Sequence, residues 1–275
     1  MRWPRKALCA GIVWCMPLAL HAASASSDFA PIQKSLGIPT SLAIVTDASM
    51  PKGAASDYPE FILIQDIHRH PEAQGNIRAT ILYSLKHWNH SEVFLEGAWA
   101  QGKTQDYSFS GLENEQLYRD NVAAYQAVAE VQEAALEELE TATLFGNVFD
   151  DARGPSWGTI KRLIQLRLKP SEYAEYVKTP FHSQTPSALA TAVSSAEHFY
   201  ELANARSHVF LDKAKSPYDG PRVLVIGGFH TVAMAEELRR QGYSYAVLSP
   251  RVTQGGYEGL YAQGMHETIS ALKLH

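Results

Sequence analysis

Short apolar runs in this chain stop at chemically capable groups. Residues 61–65 run into Asp66, His68 and His70, residues 93–95 into Glu96, and residues 223–226 into Gly227, Gly228 and His230. Short apolar segments bounded by polar or turn residues predict buried strands. Residues 41–45 and 245–248 read the same way, the first separated from 61–65 by a loop over 51–58. Elsewhere apolar residues recur at helical spacing. Ile77, Ile81, Leu85 and Trp88 follow Pro71, which suits a first helical turn. Residues 114–144 carry Leu117, Val122, Tyr125, Val128, Val131, Leu136 and Leu139, and the pattern returns over 157–168 and 186–213. Helices over 231–240 and near 266–272 complete the alternation.

The pattern predicts an α/β fold with a central, mostly parallel sheet flanked by helices, interrupted by a largely helical insertion or cap at about 112–213. Parallel strands of an open sheet bring their carboxyl ends to one crevice, so Asp66, His68, Glu96 and His230 are expected at a single site. The cap is expected to cover that crevice and to influence substrate choice.

Composition narrows the partners. Arg2, Arg5 and Lys6 precede an apolar run over 7–20 and the small residues Ala23, Ser24 and Ala25, the pattern of a secretory signal peptide over 1–25. The expected mature chain is a single domain over 26–275 with a mobile start, periplasmic or secreted, with no stable insertion in a membrane after cleavage. Both cysteines, Cys9 and Cys15, fall in the leader, so neither a disulfide nor a thiolate ligand is expected in the mature protein. The whole chain carries a net charge of −5, and loss of the basic leader makes the remainder more acidic. Nucleic acid is therefore an unfavourable partner, and a small-molecule or peptide substrate is expected. Oligomeric state leaves no mark in the sequence.

The candidate chemistry is that of imidazole and carboxylate. In an extended backbone Asp66, His68 and His70 would share one side, because side chains alternate along a strand. Such donors suit a catalytic divalent metal such as zinc, manganese or cobalt. His70 stands just before Pro71 and is equally placed to cap a helix. Glu96, directly after a buried strand, is the best candidate for a carboxylate ligand or general base. Arg251 follows the strand at 245–248 and could pair with Glu96 or stabilise an oxyanion. Gly227 and Gly228 permit close backbone approach at a helix start and could alternatively cradle a phosphate.

These residues resemble the motifs of the Tiki/TraB superfamily of metallohydrolases, which includes erythromycin-esterase-like and ChaN-like haem-uptake proteins. Gly227-Gly228-Phe229-His230 resembles its Gly-x-x-His motif, and Gln65-Asp66-Ile67-His68 resembles a second copy with Gln65 in place of glycine. Leu95-Glu96-Gly97 resembles the intervening acidic motif, and Arg206-Ser207 the helical Arg-Asn pair with serine in place of asparagine. The resemblance spans most of residues 60–250. It implies an exported hydrolase of amide or ester bonds. His68 and His230, with Asp66 or Glu96, would bind a divalent metal or act on water directly, Glu96 would take the proton, and Arg206 or Arg251 would stabilise developing charge. Two alternatives follow from the same resemblance. One is a ChaN-like protein that binds haem or another iron ligand without catalysis, for which 13 Tyr and 11 His offer axial ligands. The other is an interaction module that has lost its activity.

Overall fold

A computed structural model describes residues 27–51, 58–88, 92–103, 107–144, 154–182, 186–215, 220–253, 255 and 260–272. The leader expected at 1–25 lies outside the described residues. A short 3-10 turn at Ser27–Phe29 leads into α1 (Ala30–Leu36), then β1 (Ala43–Ser49), β2 (Phe61–Asp66), α2 (Pro71–His87) and β3 (Glu92–Leu95). A short hairpin, β4 (Gln101–Lys103) and β5 (Ser108–Gly111), precedes α3 (Glu115–Leu144), α4 (Trp157–Ile164), α5 (Pro170–Tyr176) and α6 (Ala188–Ala214). The chain closes with β6 (Arg222–Gly227), α7 (Gly228–Gln241), β7 (Tyr245–Pro250) and α8 (Leu260–Leu272).

The seven strands form one sheet in the order β1-β7-β2-β6-β3-β5-β4. The inner pairs β7/β2, β2/β6, β6/β3 and β3/β5 are parallel, while the two outer pairs, β1/β7 and β4/β5, are antiparallel. Strand side chains alternate between faces, and each face has its own core. Phe61, Leu63, Leu224, Ile226, Tyr245 and Val247 pack against Met234, Ala235 and Leu238 of α7 and Phe210 and Leu211 of α6. Their neighbours Ile62, Ile64, Val223, Ala246 and Leu248 pack against Ile77 and Ile81 of α2 and Leu36 of α1. The central strands are apolar on both faces, which is why they read as continuous hydrophobic runs rather than alternating ones.

Connectivity places the crevice. From β2 the chain crosses by α2 to β3 on one side of β6, and from β6 it crosses by α7 to β7 on the far side of β2. The two crossovers leave in opposite directions over opposite faces, so the carboxyl ends of β2 and β6 flank a topological switch point, where open α/β sheets bind ligands.

The helical insertion is present. α3 and α6 pack side by side, and with α4 and α5 they enclose a core of their own around Val128, Ile160, Leu163, Tyr173, Leu189 and Tyr200. α6 reaches further, since Phe210 and Leu211 belong to the sheet core. Residues 27–36, expected as a mobile start, are docked instead. Gln33 donates to Ile38 O at 2.8 Å and accepts from Val45 N at 2.7 Å, and the buried Trp88 indole donates to Leu36 O at 3.0 Å. The β4/β5 hairpin was not expected, because Gln101-Gly102-Lys103 and Ser108-Phe109-Ser110-Gly111 carry a single large apolar residue between them.

Leu224 lies at the centre of the sheet with no exposed surface, whereas Val177 is half exposed. Leu224→Ala is expected to cost about 2–5 kcal/mol of stability and Val177→Ala less than about 0.5 kcal/mol, both read from urea denaturation.

Candidate functional site

Four adjacent parallel strands deliver the polar cluster. β2 ends at Asp66, opposite Gly227 of β6, while Leu95 at the end of β3 lies opposite Val225 on one side and Gly111 of β5 on the other. The residues that follow, His68, Glu96, Glu113 and His230, therefore emerge at one edge of the sheet.

The segment after β2 is not extended. Arg69 adopts a left-handed backbone (φ 61°), and His70 N donates to Ile67 O at 3.1 Å, which closes a turn. This turn separates residues that a strand would have aligned. His68 stays beside Asp66, with Nδ1 and Oδ2 2.7 Å apart. His70 is carried to the start of α2, where its Nδ1 accepts from Ala73 N at 3.4 Å as the N-cap. The expected alignment of Asp66, His68 and His70 is thus replaced by an Asp66–His68 pair and a helix-capping His70. Gln74 in the first turn of α2 donates to Asp66 Oδ1 at 2.5 Å and holds the pair in place.

Glu96 sits at the centre of the cluster with a side chain only 11% exposed. Its Oε1 accepts from Arg206 Nη2 at 3.0 Å and lies 3.4 Å from His230 Nε2, while its Oε2 accepts from Gly227 N at 2.5 Å. The expected pairing of Glu96 with Arg251 does not occur. Arg251 is fastened through its backbone, donating to Leu42 O at 2.8 Å and accepting from Asn76 at 2.7 Å, and the arginine that meets Glu96 comes from α6. Arg206 also donates to both oxygens of Glu113 and to Asn121 Oδ1, and its guanidinium lies 5.4 Å from the centre of the Tyr118 ring. These contacts engage four of the five guanidinium N–H donors, so Arg206 is held chiefly as the residue that positions Glu96.

Glycine at 227 relieves a specific close approach. A Cβ there would lie 3.2 Å from both Glu96 Oε2 and His68 Nε2, so its absence keeps open the gap into which these two atoms face. The Gly227 amide already serves Glu96, which removes it from the phosphate cradle considered for the glycine pair. Gly228 gives room to Gln65, whose Nε2 would stand 2.9 Å from a Cβ at 228 and whose Oε1 accepts from Ser249 at 2.7 Å. Gln65, which stands where the resembling motif has glycine, is therefore accommodated by the glycine that opens α7.

The two histidines are in opposite electrostatic situations. Burial pulls His68 down, but its hydrogen bond to Asp66 and the charges of Glu96 and Asp66 outweigh burial and raise its pKa to about 9. His230 is dominated by burial, with Glu96 opposing and Arg206 and His68 adding to it, and its pKa falls to about 4. Its ring is held between Phe210 and Phe229, and its Nδ1 lies 2.8 Å from Ser207 Oγ. Burial would raise Glu96, but His230, Arg206, His68 and the Gly227 N–H together hold its carboxyl well below the usual range. Glu96 is consequently an anion with little affinity for a proton, and His68 is the basic group that faces the gap.

Asp66, His68, Glu96, Arg206 and His230 were legible in the sequence as site candidates. Glu113 and Asn121 were not. Glu113 is 1% exposed and is the main partner of Arg206, yet the strand before it was too polar to recognise. Asn121 lies on α3 among ordinary helical residues, with no signal in its surroundings. Among the described residues no group of three or more His, Cys, Asp or Glu is arranged to hold a metal ion, and both Glu96 oxygens already accept hydrogen bonds.

The pKa shifts fix a pH dependence of stability. His230 and Glu96 have folded pKa values below their unfolded ones, so their contributions are lost as pH falls from about 6.5 towards 4 for His230 and below 4.5 for Glu96. His68 has a raised pKa, so its contribution is present below 6.5 and lost as pH rises towards about 9. His68→Gln should flatten the alkaline limb of the unfolding midpoint against pH and His230→Gln the acid limb. Glu113→Ala, which leaves Arg206 short of its buried partner, should cost about 3–5 kcal/mol in urea denaturation. Comparisons with protein-family models, with curated proteins and with solved structures found no match to this chain.

Proposed function

We propose that this protein is an exported hydrolase that cleaves an ester or amide bond in a small molecule or peptide, with the crevice at the ends of β2, β6 and β3 as its active site. The observation that carries this reading is the Asp66–His68 pair. Asp66 takes Nδ1 at 2.7 Å, which leaves Nε2 facing Glu96 across the gap beside Gly227. A carboxylate behind one ring nitrogen orients an imidazole and stabilises the imidazolium that forms when the other nitrogen takes a proton.

In this mechanism His68 Nε2 removes a proton from water as the water oxygen attacks the carbonyl carbon. Collapse of the tetrahedral intermediate breaks the C–O or C–N bond, and His68 returns the proton to the leaving group. The first-turn N–H groups of α7, which begins at Gly228, face the same edge of the sheet and supply the donors for the oxyanion. Glu96, anchored by Arg206, adds a fixed negative charge that favours the imidazolium. The base is thus His68 rather than Glu96, and the oxyanion donors are backbone amides rather than Arg206 or Arg251.

Trp99 marks the substrate side. It follows Glu96 by three residues, is 48% exposed, and its ring lies 5.9 Å from that of Tyr118, the ring beside Arg206. Its loop is fixed by Glu113 N to Ala98 O at 2.9 Å and Gly111 N to Ala100 O at 3.1 Å, so the indole is presented rigidly. Among the described residues no helix is long and apolar enough to cross a membrane, and the expected leader would place the reaction in the periplasm or outside the cell.

The test is hydrolysis of p-nitrophenyl esters and aminoacyl anilides by the mature chain, by His68→Ala and by Trp99→Ala. His68→Ala should lower kcat/KM by roughly 10²–10⁴-fold. Because the resting His68 is protonated at neutral pH, kcat/KM should rise about tenfold per pH unit above pH 7 and level off near the His68 pKa of about 9. Trp99→Ala should raise KM more than it lowers kcat. A flat or falling profile between pH 7 and 9 would remove His68 as the base. The same preparations, loaded with manganese, cobalt or zinc and then with haem, give the competing outcomes. Stoichiometric metal lost in His68→Ala would favour a metallohydrolase, and a Soret band without hydrolysis would favour a haem-binding protein.

A further inference from the structure

Ser207 follows Arg206 on α6, and its hydroxyl lies between two buried polar atoms: Ala203 O at 3.0 Å, four residues earlier in the helix, and His230 Nδ1 at 2.8 Å. Both side chains are almost sealed from solvent, at 6% exposure for Ser207 and 5% for His230. A hydroxyl has one proton, so only one of the two contacts can be its donation. The choice determines which nitrogen of His230 carries hydrogen.

If the hydroxyl donated to Ala203 O, a neutral His230 would need its hydrogen on Nδ1, directed at Ser207 Oγ. The lone pair of Nε2 would then face Glu96 Oε1 at 3.4 Å, setting two electron-rich atoms against each other in a dry site. If the hydroxyl donates to Nδ1, the ring carries its hydrogen on Nε2 and offers it to the carboxylate. Ala203 O loses little in that case, because a helix carbonyl at this position already accepts the amide four residues on. An imidazolium would satisfy both nitrogens, but it would bury a second cation beside Arg206, and the burial that dominates His230 opposes it.

We infer that Ser207 is a positioning residue: its hydroxyl donates to Nδ1 of His230 and, with Glu96, fixes this histidine as a neutral imidazole carrying its hydrogen on Nε2. His230 is then a donor to Glu96 and not a base. The carboxylate receives hydrogen bonds from Arg206, Gly227 and His230, and it is locked in the orientation that faces His68. This assignment concerns the resting site and stands whether or not the crevice proves to be hydrolytic.

The experiment is two-bond proton–nitrogen correlation NMR on the mature chain with ¹⁵N-labelled histidine at pH 7.5, with the His230 signals identified by their loss in His230→Gln. The expected spectrum has one protonated nitrogen, Nε2, and one unprotonated nitrogen, Nδ1, displaced from the free value by an accepted hydrogen bond. In Ser207→Ala the Nδ1 resonance should move to the value of a free unprotonated ring nitrogen while Nε2 stays protonated, and Ser207→Thr, which retains the hydroxyl, should restore the wild-type position. A wild-type ring protonated on Nδ1, or on both nitrogens, would overturn the assignment. An Nδ1 resonance unchanged in a folded Ser207→Ala protein would equally overturn it.

Discussion

The site depends on keeping one carboxylate charged while it is nearly sealed from water. An isolated anion at the position of Glu96 would be strongly disfavoured by lost hydration, and the fold answers with Arg206. Arg206 is itself buried and would be equally unfavourable without Glu113 and Asn121. The four residues come from the loops that follow β3 and β5 and from α3 and α6, so compensation of this charge ties the sheet to the helical insertion. Removing any member leaves an uncompensated buried group, which makes the network a single unit in energetic terms.

Around that anion two histidines reach opposite states by ordinary means. His68 is partly exposed and backed by Asp66, and it gains a proton readily. His230 is enclosed by Phe210 and Phe229 with a cation nearby, and it resists one. A pair of titratable groups whose surroundings push their pKa values apart separates an acid–base role from a structural one. Sequence motifs treat the two as equivalent, since both are histidines that follow a strand.

What was legible in the sequence follows from how each feature is encoded. The inner strands are buried on both faces, so their apolar runs stand out, and the residues at their ends could be placed at one edge from topology alone. The long helices α3 and α6 announced themselves by period. Three features were hidden because they depend on a single torsion or on tertiary contact. The left-handed Arg69 reassigns His70 from the cluster to a helix cap, and nothing short of the turn itself reveals that. Arg251 was singled out by its place after a strand and Arg206 only by the family resemblance, and only the packing of α6 decides between them. β5 is short and polar, so Glu113 was read as part of the helical insertion rather than as the residue that makes Arg206 tolerable.

α6 runs as one rod through two cores. Its first half packs with Leu189, Val193 and Tyr200 in the insertion, and its second half with Phe210 and Leu211 on the sheet, with Arg206 between them. α3, packed beside it, brings Asn121 to Arg206. The described part of the segment between these two rods, which holds α4 and α5, contributes none of the site contacts described above. Its length and composition can therefore drift over generations without changing the position of Arg206. Lineages carrying this architecture would be free to remodel that part of the helical insertion while the charge network at the sheet edge stays constant.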